Sequence, residues 1–415
     1  MMGTMSGACG RLMVGRLTAA LLAAMMSAVN TYGIDDVDRL YVVDGLGETL
    51  TLVDRAGDSV AVNVMTLGTV PNRVRRHGAN LLVVNSVSDD LWVIDPADFS
   101  VVRTVDFPAG DNPWDVCVVN DTLCAVSMVL SNSVLFLNPN SGDTLWRVAV
   151  GLSPQGMLAH GQRVWVANTG FDYGTFEYDS GTVSVVDWTL QSVSNTIAVG
   201  TNPQSVAMAS DGTIHTACTG NFFDRFGVVY VLDTVTETVL DSMPTGGFPS
   251  ELVIGPDKRG YLAAGGFVAG GEIYVYDADT RVVIHSSANP QLSAIGVLYV
   301  VPRLEGGVTA LCFGADVLLE HDQSGTAVDS WNVGDGPVAA VHVTNRIPGD
   351  IVADSIINVF DVVAAVEIAF RAGDLPERPG VADVNADCVV NVFDVVAMVD
   401  VAFRNGSGLL WGCAQ

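Results

Sequence analysis

Residues 153–200 contain four short runs: SPQGMLAH (153–160), QRVWVAN (162–168), GTVSVVD (181–187) and VSNTIAVG (193–200). Each run is rich in Val or alternates apolar with polar residues, and Gly, Asn and Asp stand between the runs. That is the chemistry of antiparallel strands joined by tight turns. Two markers repeat the unit along the chain. A Pro after a small or polar residue heads each copy, at Pro71, Pro113, Pro154, Pro203, Pro249, Pro290 and Pro337, with spacings of 41 to 49 residues. A strand-like run ends on an acid or amide at Asp54, Asp95, Asn138, Asp187, Asp233, Asp277 and Asp322. Four strands per unit, at this period, make a propeller blade. Helical periodicity is absent from residue 40 to 343. The fold class expected is all-β, a seven-bladed propeller of four-stranded blades over residues 34–345, followed by a small all-α calcium-loop domain over 346–415.

The repeat resembles the YVTN-type propeller repeats. The carriers are LYVVD (40–44), LLVVN (81–85) and VWVAN (164–168), then LWVID (91–95), VSVVD (183–187) and VYVLD (229–233). The resemblance covers about 300 residues and implies fold rather than activity, because such propellers host many functions. It also predicts how the ring shuts. The chain enters at Leu40–Asp44, a second-strand motif, and the matching first strand, GPVAAVHV (336–343), comes last. The last strand should therefore complete blade one and remove a free sheet edge.

The chain carries 46 Asp and Glu against 19 Lys and Arg, a formal net charge of −27, with Lys258 as its lysine. So acidic a surface disfavours nucleic acid and anionic membranes, whose phosphates need clustered basic groups. At the N-terminus Arg11 and Arg16 flank the apolar run Leu17–Val29. Residues 1–33 read as an export signal, too short to span a bilayer comfortably. The alternative is an uncleaved anchor. No later stretch is apolar enough for a span, so the expected location is secreted, extracellular or at a bacterial cell surface. Cys117 and Cys124 flank the turn Asn120-Asp121; a two-residue hairpin there would set them opposite each other, giving either a cross-strand disulfide or two buried thiols. The state of Cys388 and Cys413 stays open.

From Gly349 the pattern changes. DIVADSIINVFDVVAAVEIAFRAG (350–373) and DVNADCVVNVFDVVAMVDVAFRNG (383–406) start 33 residues apart and agree at 15 of 24 positions. Each is a loop followed by a helix, with Val359, Val362, Val363, Val366 and Phe370 at helical spacing in the first. Calcium takes six or more oxygens from alternate positions of a twelve-residue loop. The first loop offers Asp350, Asp354, the Ile356 carbonyl, Asn358 and Asp361, with Val352 at position three. The second offers Asp383, Asn385, Asp387, the Val389 carbonyl, Asn391 and Asp394. Two Ca2+ ions are expected, the second loop binding more tightly. The duplicated loop–helix with a closing Asp resembles type I dockerins, which implies a cohesin-like partner. It departs from them at position six, where Ser355 and Cys388 replace Gly, and at the helix starts. There Val359, Phe360, Val392 and Phe393 stand where small polar residues usually dock cohesin. These four either fill the small core or meet a differently surfaced partner.

No HExxH, GxSxG or phosphate loop occurs, and the six His are scattered. The Asp or Asn at the end of each third strand recurs in every blade and so reads as turn chemistry. Loop length is irregular. Blade four joins its second and third strands by TGFDYGTFEYDSG (169–181), blade five by TGNFFDRFG (219–227) and blade six by GGFVAGG (265–271). These connections share one face of a propeller. They raise Phe171, Tyr173, Phe176, Tyr178, Phe222, Phe223, Phe226 and Phe267 toward one sector, either as a ligand site or packed among themselves. The function expected is a secreted binding or scaffold protein with no catalytic residues. Its propeller face takes a carbohydrate or peptide, and its calcium module attaches it to a cohesin-like or other extracellular protein. The alternative is a lactonase or polysaccharide-active propeller enzyme delivered by that module.

Overall fold

Each of the seven residues that end or directly follow a third strand folds its side chain back onto the turn that follows. Asp54 Oδ1 accepts the N–H of Gly57, Asp95 that of Ala97, Asn138 that of Asn140 and Asp187 that of Thr189, at 2.9–3.0 Å. Asp233, Asp277 and Asp322 accept those of Val235, Thr280 and Ser324 at 2.7–2.8 Å. These side-chain caps shape the hairpin into the outer strand, which is why the residue type repeats. The computed structural model describes residues 37–264, 266, 270–344, 349–352, 357–371, 381–382, 384 and 390–404. The segment 1–33 read as an export signal lies outside them, as does Phe267.

The recurring Pro is the first residue of the innermost strand in five blades, at Pro71, Pro113, Pro154, Pro203 and Pro337. A first strand residue can lack an N–H without breaking a ladder. Pro290 departs from the expectation. The segment after it, Gln291–Ser293, pairs with Gly271–Ile273 of blade six, and the inner strand of blade seven begins at Val297. The outer strand of blade six, Val282–His285, covers only Val275–Asp277 of its neighbour. Gln291–Ser293 satisfies the backbone left open beside it.

Seven four-stranded antiparallel blades result, blade six with the extra short strand. The innermost strands of successive blades touch one another around the full circle, from Pro71–His77 through to Pro337–Thr344. Closure is as read: Pro337–Thr344 pairs with Asp38–Asp44, from Asp38 opposite Thr344 to Asp44 opposite Pro337. A buried ion cluster joins blade one to blade seven. Arg55 meets Asp38 at 3.1 Å and Glu320 at 2.9 Å, Arg303 meets Glu320 at 3.0 Å, and His342 meets Asp38 at 2.6 Å.

The core lies between blades. Leu82, Val84 and Leu91 of blade two pack on Val116, Val126 and Leu137 of blade three, for example, and similar clusters fill the other gaps. Second strands are therefore buried along their length, as in Leu123–Met128, while outer strands such as Thr238–Pro244 are mostly exposed. Cys117 and Cys124 are free buried thiols. The expected register was one residue off: Cys124 lies opposite Val118, and Cys117 opposite Ala125. One residue of slip turns a side chain to the other face. Cys117 thus packs toward blade four and Cys124 toward blade two.

Among the described residues near the C-terminus lie two helices, α1 (Val359–Arg371) and α2 (Val392–Arg404). Ala365 and Met398 pack with Val384 in a small shared core. The apolar stripe expected on α1 turns out differently. Val362, Val363 and Val366 are half-buried, whereas Val359 and Phe370 are exposed, and the shared core takes Ala365 of this helix instead. Among the described residues no helix is long and apolar enough to cross a membrane.

Candidate functional site

The two long loops of blades four and five leave their second strands by the same dipeptide, Thr169-Gly170 and Thr219-Gly220. Both glycines have positive φ, 74° and 90°, and a Cβ on Gly220 would stand 2.0 Å from the Arg225 carbonyl oxygen. Only Gly fits such a reversal.

In blade four the loop then forms a miniature ribbon, Phe171 opposite Tyr178 and Asp172 opposite Glu177. Asp172 Oδ1 accepts the N–H of Gly174, and the Asp172 carbonyl that of Phe176. In blade five Asn221 organises the turn: its Oδ1 accepts the N–H groups of Phe223, Asp224 and Arg225 at 2.9–3.1 Å. Phe222 is thereby held in the left-handed region at φ 63°, a costly conformation for a bulky residue.

These constraints line up a row of rings over the loops of blades four and five and the connection to blade six. Phe171 lies 4.9 Å from Tyr173 and 5.0 Å from Tyr178, Tyr178 lies 6.3 Å from Phe222, and Phe222 lies 5.4 Å from Phe248. Phe226 closes the row at 5.8 Å from Phe248, while Phe176 flanks Phe171 at 6.3 Å. Phe171 and Tyr178 are half-buried in the middle of the row, and partial burial holds the Tyr173 and Tyr178 phenols above their ordinary pKa. The others do not hide against one another. Phe176 is 76% exposed, Phe223 84%, and Phe222 and Phe226 55% each. Phe223 makes none of the ring contacts of the row. Leu46, Val87 and Leu130, in the matching loops of blades one to three, are exposed on the same face.

Phe248 was missed by the sequence reading. It sits in the connection between blades five and six, beside the marker Pro249, and an aromatic next to a repeat marker was the available signal. Beyond Phe226 the row opens into a groove of about 520 Å³, lined by Gly227, Val228, Pro244, Gly246, Gly247 and Ser287.

The central channel is crossed by a separate network. Arg73 of blade two reaches Glu251 of blade six at 3.1 Å and Asp115 of blade three at 3.3 Å, and lies 5.0 Å above the Tyr299 ring of blade seven. Arg75 meets Asp115 at 3.2 Å and donates to the Tyr299 hydroxyl at 2.8 Å. The converging carboxylates of the channel are thus bound by two guanidinium groups. Among the described residues no three His, Cys, Asp or Glu side chains gather as metal ligands.

In the C-terminal module Asp361 and Asp394 are fully buried at the starts of α1 and α2. Asp361 accepts the N–H groups of Val352 and Asn358 at 3.0 and 2.9 Å, and Asp394 those of Val384 and Asn391 at 2.9 and 2.8 Å. The two loops close in the same way. Asp350 is also buried, while Asp354, Ile356, Asp383, Asn385, Asp387 and Val389 lie outside the described residues. Val359, Phe360, Val392 and Phe393 are exposed and do not fill the small core.

Fold and site together define a seven-bladed β-propeller with an exposed aromatic sector on one face. No protein-family model and no curated protein matches the sequence. Solved structures do match. A candidate 6-phosphogluconolactonase of Bacteroides fragilis is 14% identical, covering 74% of this chain and 98% of its own, with a TM-score of 0.57. A quinoprotein alcohol dehydrogenase-like protein of Bacteroides thetaiotaomicron is 12% identical over 74% of this chain and 79% of its own, TM-score 0.55. Hydrazine synthase of Kuenenia stuttgartiensis is 16% identical over 65% and 88%, TM-score 0.53. At these identities the likeness is one of fold, and the chain is similar to enzymes of quite different chemistry.

Proposed function

We propose that this is an extracellular or cell-surface binding protein whose propeller takes a carbohydrate or peptide ligand on the aromatic sector of blades four to six. The observation that carries the reading is the continuous row from Tyr173 to Phe226, built by constrained loops and left open to solvent. A rigid scaffold that spends strained backbone to hold exposed rings fits recognition better than self-packing.

The division into signal 1–33, propeller 34–345 and attachment module 346–415 belongs to the same proposal. The dockerin resemblance supports attachment to a cohesin-like protein, through a surface that carries Phe360 and Phe393. The donor chemistry of the loops fits calcium: oxygen ligands throughout, with buried carboxylates closing both loops. Asp350, Asp354, the Ile356 carbonyl, Asn358 and Asp361 would hold one ion. Asp383, Asn385, Asp387, the Val389 carbonyl, Asn391 and Asp394 would hold the other. The ion's chemistry there is to gather and neutralise these oxygens. Both proposals are tested by immobilising the full chain in calcium and measuring retention of soluble polysaccharides, of peptides and of a cohesin domain, then repeating with Phe222→Ala and with a calcium chelator. Phe222→Ala should cost the propeller ligand alone, and the chelator the module's partner alone. Retention unchanged by Phe222→Ala would overturn the face.

A further inference from the structure

We infer that the aromatic face selects an extended, cationic polypeptide segment over a glycan; this rests on the binding reading above. The first reason is ring geometry. Stacking against the flat side of a sugar needs a ring face that stands clear. Along the row from Tyr173 to Phe222 the planes are crossed, by 89° between Phe171 and Tyr173, 56° between Phe171 and Tyr178, and 53° between Tyr178 and Phe222. Phe248 is tilted less, by 41° to Phe222 and 30° to Phe226, and Phe223 stands apart from the row. Crossed rings at 5–6 Å make clefts between an edge and a face, which fit single protruding side chains.

Charge is the second reason. The two loops expose Asp172, Glu177, Asp179 and Asp224 against one basic residue, Arg225. Asp172 and Glu177 face each other as a cross-strand pair, an arrangement in which like charges repel. A Lys or Arg side chain laid across the ribbon would relieve that repulsion, and its stem and charge also suit aromatic faces. Shape is the third. The row runs on into the open groove beyond Phe226, whose remaining lining holds no side chain larger than Val or Pro, which leaves room for an extended segment to continue from the rings. The occupant is therefore a strand-like segment with alternating apolar and basic side chains.

The experiment uses the full chain in calcium and follows fluorescence anisotropy of three labelled probes: an alternating Lys-Leu octapeptide, the Glu-Leu counterpart, and xylohexaose. The Lys-Leu peptide should bind, and Phe222→Ala should weaken it about thirtyfold, as loss of an interface anchor does. Asp172→Asn with Glu177→Gln should weaken it about tenfold at low salt and much less at high salt. The Glu-Leu peptide should bind far more weakly. Equal binding of both peptides overturns the charge argument. If xylohexaose binds in a Phe222-dependent way and the Lys-Leu peptide does not, the face is a binding face and the polypeptide inference is wrong. If Phe222→Ala changes no probe, both readings fall.

Discussion

Asp44 closes the second strand of blade one, at the position held by Asn85 in blade two and Asn168 in blade four. Its side chain is fully buried. Burial pushes its carboxyl up to about 6 from the ordinary 3.8, against the opposing pull of hydrogen bonds from Thr51 and Thr49. The sign follows from linkage. Below pH 3.8 the group is protonated folded or unfolded, and the chain bears no cost. Above about pH 6 it is ionised in both states, and the folded chain carries the full desolvation penalty. That penalty is at most about 3 kcal/mol, at roughly 1.4 kcal/mol for each tenfold step in proton affinity. Asp44→Asn removes it. The amide has a template in Asn168, whose Nδ2 donates to the hydroxyls of Thr182 and Ser184 at 3.0 and 2.9 Å. Thr49 and Thr51 occupy the same places beside Asp44, at 3.3 and 2.7 Å. The variant should therefore melt about 5 °C higher at pH 7.5, taking roughly 2 °C per kcal/mol for a domain of this size. The gain should shrink through pH 5 and vanish near pH 4. His215, whose pKa burial lowers to about 4, titrates in the same range with opposite sign, but it is common to both proteins and cancels in the difference. Differential scanning calorimetry of both proteins from pH 4 to 8 reads it directly. A melting difference that does not vary with pH, or a variant that melts lower at pH 7.5, would show the reasoning about Asp44 to be wrong.

Breaking the ring seam should be costly. Arg55→Met leaves buried Asp38 with His342 alone and Glu320 with Arg303 alone, and chemical denaturation should show a loss of about 2–3 kcal/mol, less than for a charge left with no partner. A chain ending at Asn345 should give a soluble propeller, whereas one ending before Gly336 lacks the strand that pairs with Asp38–Asp44 and should aggregate; equal melting of the two would refute the closure. Calorimetric titration with calcium should resolve two steps. Asp383→Ala should abolish the tighter step, and Val352→Asp, which supplies the missing position-three oxygen, should strengthen the weaker one by about tenfold or more.

The fold was readable because its devices are local and repeated. An Asx turn needs one side chain and the amide two or three residues on, so Asp54 and its six counterparts announce it in sequence. Strand register is less local. The Cys117–Cys124 hairpin turns at Asp121-Thr122, one residue beyond the turn read from the sequence, and a bulge between Val118 and Asn120 then sets the two thiols on opposite faces. Pro290 misled for a related reason: a marker tied to blade heads was borrowed to patch the open backbone of blade six. The aromatic loops could be found from their length, but the part played by Phe248 depends on which inter-blade connection leans over which loop. The channel network was illegible, since Arg73 and Glu251 lie 178 residues apart and nothing in either neighbourhood encodes which blades face across the ring.

The claim on which the rest depends is that the rings of the blade-four and blade-five loops, with Phe248, bind rather than brace. The most direct measurement compares the full chain with its Tyr173→Ala/Phe222→Ala form for retention of peptides and soluble polysaccharides, alongside the melting temperature of each. Tyr173 and Phe222 are 47% and 55% exposed, so their removal opens no core cavity. Retention should be lost while the melting temperature stays within about 2 °C, as surface truncations well under 1 kcal/mol allow. Undiminished retention, or a steep fall in melting temperature, would mean that the row of rings is a structural cap.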